Sequence, residues 1–126
     1  MYNNTIGGDK SSNAMKNIFE GNVVHGQKEG RKLGFPTANV EFRGKMEEGV
    51  YAGWAIIDGK RYKAGIMYRN RTTILEAYIL DFSGDLYGKK IELEVGEKIR
   101  EIVQFETNKD LIVQIEKDIK LVRDKV

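Results

Sequence analysis

From Asn17 onward, apolar and polar residues alternate in short runs broken by glycine, and only the last twenty residues change to a helical period. Residues 17–25 and 37–43 read as strands separated by a polar loop, Gly26 to Pro36. In Val50–Asp58, Val50, Ala52, Trp54 and Ile56 alternate with Tyr51, Gly53, Ala55 and Ile57, so both faces are apolar. Such a strand, buried on both sides, suits the wall of a small barrel or a strand covered by a helix, with Trp54 in the core. Asp58-Gly59 signals a type I′ hairpin into 60–68. Ile74–Phe82 is a fifth strand, punctuated by Ser83-Gly84-Asp85. In the sixth, Ile91, Leu93 and Val95 alternate with Lys90, Glu92 and Glu94. Ile112, Ile115, Ile119 and Val122 then recur at helical spacing. Thr107 followed by Asp110 resembles a capping box, and Arg123 and Lys125 suit the dipole of the last turn. Six short strands and one covering helix, without internal repeats, predict a mainly-β fold: a six-stranded antiparallel Greek-key barrel with a C-terminal α-helix.

Length and charge narrow the picture. The 126 residues suffice for one core and not for two. The first fourteen, MYNNTIGGDKSSNA, are small, polar and aperiodic. They read as an expression-vector or linker remnant, leaving 15–126 as the domain. A net charge of +2 implies no strong pull toward nucleic acid or membrane. With no cysteine, disulfides and thiolate metal sites are excluded. No apolar run approaches the roughly 18 residues of a membrane span. A cytoplasmic monomer with no nucleic-acid or membrane partner is expected.

The richest chemistry lies in 26–39, GQKEGRKLGFPTAN. Gly26, Gly30 and Gly34 permit backbone conformations in which successive N–H groups converge on an anion. Lys28, Arg31 and Lys32 add positive charge among them. Thr37 and Asn39 alternate on one strand face and offer two hard oxygens to a magnesium ion that ATP would bring with its phosphates. The composition equally suits a basic surface loop between strands. Glu76 interrupts an apolar strand on the face of Ile74, Tyr78 and Leu80. A carboxylate there must be paired, or used. Gly84 to Lys89 lacks the length and the Ser or Thr of a P-loop and reads as a connection. His25, the only histidine, reads as a rim residue, and Asp81 as serving the turn after it.

Several segments together resemble the riboflavin kinase family. They are GNVVHG at 21–26, GRKLGFPTANV at 30–40, GVYA at 49–52, LEAYILDF at 75–82, DLYG at 85–88 and IRE…F at 99–105. The match runs in order over 19–123. The resemblance implies a six-stranded barrel with a C-terminal helix and an ATP-dependent phosphotransferase that turns riboflavin into FMN. It gives the phosphate-wrapping role to Gly26, Lys28, Gly30, Arg31, Lys32, Gly34, Pro36 and Thr37, and magnesium to Thr37 and Asn39. Glu76 matches the catalytic carboxylate, and Arg100 with Glu101 matches the segment closing over the flavin. The chain departs from the family pattern in 65–73, which lacks a proline, and at Tyr78, where histidine is frequent. No length is left for the adenylyltransferase domain of bifunctional relatives, so FAD synthesis is not expected. The alternatives are a flavin- or nucleotide-binding barrel without catalysis, and an OB-like binder of single strands, against which the acidic Glu92, Glu94 and Glu97 argue.

Overall fold

The computed structural model describes residues 17–25 and 37–126. Six strands precede one helix: β1 (Asn17–Val24), β2 (Thr37–Glu41), β3 (Gly49–Ile57), β4 (Lys60–Tyr68), β5 (Ile74–Ile79), β6 (Lys90–Arg100) and α1 (Asn108–Lys125). They close into an antiparallel barrel in the order β1-β2-β5-β4-β3-β6. Strands β2 and β3, like β5 and β6, are consecutive in the chain but not neighbours in the sheet, so their connections cross the barrel ends in Greek-key fashion.

Alternation decides which residues face inward. Val23, Ala38, Val40, Ala55, Ile57, Ala64, Ile66, Leu75, Ala77, Ile91, Leu93 and Val95 form the interior cluster. A second cluster of Ala52, Leu80 and Val122, with Ile99 and Ile119 packed on it, lies between the barrel wall and α1. This explains why β3 is apolar on both faces: one side fills the barrel and part of the other receives the helix. Trp54 corrects the expectation of a core tryptophan. It is half-buried on the outer face, with the Arg61 guanidinium 4.2 Å over its ring and Arg61 in turn paired to Glu94. Ala52 lies under the helix, but Trp54, two residues on, has only its neighbours' side chains for cover.

Local chemistry sets the turns. Asp58 and Gly59 both take left-handed φ values, 52° and 82°, as the expected hairpin requires. The sixth strand runs five residues past Val95 because it follows the long β3, with register irregularities between Val50 and Gly53. Gly53 is needed there: a Cβ on it would sit 2.1 Å from the Glu94 carbonyl oxygen. Helix α1 starts as expected, the Thr107 side chain accepting from Asp110 N–H at 3.1 Å.

The helix C-terminus is clamped electrostatically. Asp81, at φ 61°, was expected to serve the turn after it; both its carboxylate oxygens instead accept hydrogen bonds from Arg123, at 2.9 and 3.0 Å, so it holds the helix. The Lys63 ammonium donates to the Arg123 carbonyl at 2.9 Å. The Arg123 hydrogen bonds, and then its charge, hold the Asp81 carboxyl below its usual value. A carboxylate depressed on folding stabilises the fold above its unfolded pKa, about 4, and loses that effect as pH falls through the folded value. Asp81→Asn should therefore lower the melting temperature at pH 7, with a smaller difference from wild type at pH 3. Thermal melts at both pH values check this.

Candidate functional site

At the barrel end where β1 stops and β2 begins, a cavity of about 640 Å³ opens. The strand ends contribute Val24, Thr37, Asn39, Ala77 and Ile79, and the β5–β6 connection contributes Phe82 through Tyr87. That connection is built by local bonds. Asp85 Oδ1 accepts from Tyr87 N–H at 2.9 Å, and Gly88 N–H donates to the Val23 carbonyl at 2.9 Å. Tyr87 is thereby laid on His25, with ring centroids 3.7 Å apart and planes 17° from parallel. Phe82 lies edge-on to Tyr62 at 5.2 Å. His25 is thus a rim residue, as its position in the sequence suggested. The aromatic wall it forms with Tyr87 joins residues 62 apart in the chain, and no local pattern announces it.

The outer face of β2 and β5 carries the polar groups. Asn39 lies directly across from Glu76, and Thr37 directly across from Tyr78. Residues paired this way in an antiparallel ladder share a face. Registers extend the row: Val24, Asn39, Glu76, Met67, Val50 and Arg100 are successive neighbours around the barrel. Glu76 therefore stands beside a residue of the cavity wall, in one lateral row with Arg100. Glu76 is half-buried, and Asn39 is 7% exposed. A buried amide calls for partners, and among the described residues no side-chain hydrogen bond of Asn39 is found.

Arg100 and Glu101 differ from one another. Arg100 Nε and Nη2 donate to the two Asp118 oxygens at 2.8 and 2.7 Å, and Nη1 donates to the Glu101 carbonyl at 2.9 Å. Gln114 adds a third hydrogen bond to Asp118, at 2.9 Å. The Asp118 side chain is only 3% exposed, and Arg100 is the cation paired with it. Every guanidinium nitrogen of Arg100 is thus engaged within the protein. Glu101 is exposed and pairs with Lys98 at 2.9 Å, and Lys98 also meets Glu47. These two carboxylates hold the Lys98 ammonium well above its ordinary pKa.

Asp118 went unnoticed among the candidates from sequence, although a signal existed. It falls three residues after Ile115 and four before Val122, on the apolar stripe of α1. Of the expected phosphate-wrapping residues, Gly26, Lys28, Gly30, Arg31, Lys32, Gly34 and Pro36 lie outside the described residues. Thr37, which follows them, lines the cavity.

A magnesium ion needs hard oxygen donors. Among the described residues no group of three His, Cys, Asp or Glu could hold a metal by itself. A hydroxyl and a buried amide that has no side-chain partner among the described residues, on one face, fit instead an octahedral ion that brings phosphate and water ligands of its own.

Comparisons with known proteins show what the chain is similar to. The family model described as Flavokinase: Riboflavin kinase matches residues 14–126. The RNA-binding riboflavin kinase RibR of Bacillus subtilis is 40% identical over 114 residues, covering 83% of this chain and 49% of that protein. The bifunctional riboflavin kinase/FMN adenylyltransferase of Haemophilus influenzae is 39% identical over 108 residues, covering 79% and 35%. This chain thus spans half or less of the length of these relatives. Among solved structures, the riboflavin kinase of Trypanosoma brucei matches with a TM-score of 0.62 and 28% identity, over 85% of this chain and 77% of that one. A Streptococcus pneumoniae structure described as a macrolide-efflux protein matches with a TM-score of 0.82 and 30% identity, over 90% of this chain and 40% of that one.

Proposed function

The chain belongs to the riboflavin kinase family, and from that premise we propose that it transfers the γ-phosphoryl group of ATP to the 5′-hydroxyl of riboflavin, giving FMN and ADP. The observation that carries the proposal is the pairing of Asn39 with Glu76 across β2 and β5, beside a cavity whose wall includes Thr37 and Asn39. This puts phosphate-side oxygens and a half-buried carboxylate on one face, where an alcohol could be deprotonated as it attacks.

The cavity takes the nucleotide, with the His25–Tyr87 stack and Phe82 offering aromatic surface to a base. Residues 26–36 wrap the phosphates. Thr37 and Asn39 hold the magnesium ion, which neutralises charge developing on the transferred group when bound. Phosphoryl transfer needs positioning and electrostatic stabilisation more than covalent help. As the riboflavin oxygen forms its bond to the γ-phosphorus, the bond from that phosphorus to the β–γ bridging oxygen breaks. The hydroxyl proton passes to the Glu76 carboxylate. Arg100 fixes the end of β6 to α1, and with Glu101 it lies in the segment around 97–106 that closes behind the substrates, excluding water. The domain is 15–126, acting as a cytoplasmic monomer without a nucleic-acid partner.

Thr37→Ala and Asn39→Ala should each lower turnover and raise the magnesium concentration needed for half-maximal rate, because charge neutralisation is shared between ion and protein. A magnesium titration on each variant checks this, and curves superimposable on wild type would remove the metal assignment. The function itself is tested by incubating the protein with riboflavin, ATP and magnesium and separating flavins by chromatography. FMN is expected; unchanged riboflavin would favour a binding barrel without catalysis.

A further inference from the structure

The β5–β6 connection forms one wall of the cavity, and its two ends are fastened to different elements. At the far end, Gly88 N–H donates to the Val23 carbonyl at 2.9 Å and Val23 N–H to the Lys89 carbonyl at 2.8 Å, so the wall finishes on β1. At the near end, Leu80 N–H donates to the Lys63 carbonyl at 2.9 Å, and Leu80 packs with Val122 of α1. Asp81 follows with a left-handed φ of 61°. Phe82, the next residue, lines the cavity with its ring edge-on to Tyr62 of β4. A Cβ on Gly84 would lie 3.6 Å from Phe82 Cζ, so the connection curls over that ring.

Asp81 is where α1 takes hold of this wall. Its two oxygens accept from Arg123 at 2.9 and 3.0 Å, and the Lys63 ammonium donates to the Arg123 carbonyl at 2.9 Å. A lone exposed ion pair fixes little, but a bidentate arginine–carboxylate pair inside a small network holds a geometry. Among the described residues no other hydrogen bond or ion pair joins α1 to residues 81–89.

We propose that Asp81 is a positioning residue for nucleotide binding: gripped by Arg123, it fixes the turn that presents Phe82 and the wall after it to the nucleotide. Asp81 acts through Phe82 and touches no substrate. The helix that packs on the barrel thereby also shapes the mouth of the cavity.

This inference rests on the cavity being the nucleotide site, and the test keeps the two apart. Asp81→Gly leaves the left-handed turn available and removes the grip, while Arg123→Met removes it from the helix side. Each should raise KM for ATP, and weaken magnesium–ADP binding read by calorimetry, roughly threefold to fivefold. Turnover at saturating ATP and KM for riboflavin should change little. The double variant should do no worse than either single one, because both remove the same contact. ADP binding as tight as wild type in both single variants would overturn the role, even if both lose melting temperature. So would losses that add in the double variant, or a KM for riboflavin rising in step with that for ATP. A wild-type protein that binds magnesium–ADP but forms no FMN would sink the kinase reading, while the calorimetric comparison still decides this inference. If the wild type binds no magnesium–ADP, both fall.

Discussion

Glu76→Gln is expected to lower kcat by roughly 10²–10⁴-fold, about 3–5 kcal/mol of barrier, with KM for riboflavin and ATP little changed. Glutamine keeps the size and one acceptor oxygen but cannot take a proton. Because the proton moves only in the chemical step, the loss belongs in kcat and in single-turnover rates. Glu76 is half-buried in the wall and shares a row with Asn39, Met67 and Arg100. A purely structural carboxylate in that row would give the opposite pattern, with stability lost and folded molecules active. Melting temperature and single-turnover rate on one preparation separate these cases.

Arg100→Leu should cost roughly 3–5 kcal/mol of folding stability, read from urea unfolding. The substitution leaves Asp118, 3% exposed, without its paired cation. Replacing both partners, as Arg100→Leu with Asp118→Leu, should recover most of the loss, since the desolvation cost of both charges disappears together. The single variant should also slow turnover, because the pair ties the end of β6 to α1 beside Tyr78. A single variant as stable as wild type would mean that this part of the site has no such frame. Arg100 was expected at the flavin; here its three guanidinium nitrogens bond Asp118 and the Glu101 carbonyl, fastening the end of β6 to α1.

The barrel was legible in the sequence because its signals are local. Asp58-Gly59 takes the left-handed geometry its residues favour, and the alternation of Ile91, Leu93 and Val95 marks the inner face of β6. The extension of β6 to Arg100 was not legible, because it depends on pairing with β3 around an irregular register. Trp54 misled for a related reason. Apolar alternation marks the outer face of β3 but not where along it the helix stops. Of the candidate residues, Thr37 and Asn39 line the cavity and Glu76 is paired with Asn39 across the ladder; each stands out in the sequence because it breaks or follows a strand pattern. The Arg100–Asp118 pair and the His25–Tyr87 stack join residues distant in the chain, and only closure of the barrel and docking of α1 bring them together.

The most direct test of the whole account is to follow label from γ-phosphate-labelled ATP during incubation with riboflavin and magnesium. Label should appear in FMN in step with riboflavin consumed, and this transfer should slow by roughly 10²–10⁴-fold in Glu76→Gln. Label recovered only as inorganic phosphate, or remaining in ATP while riboflavin stays bound and unchanged, would contradict it.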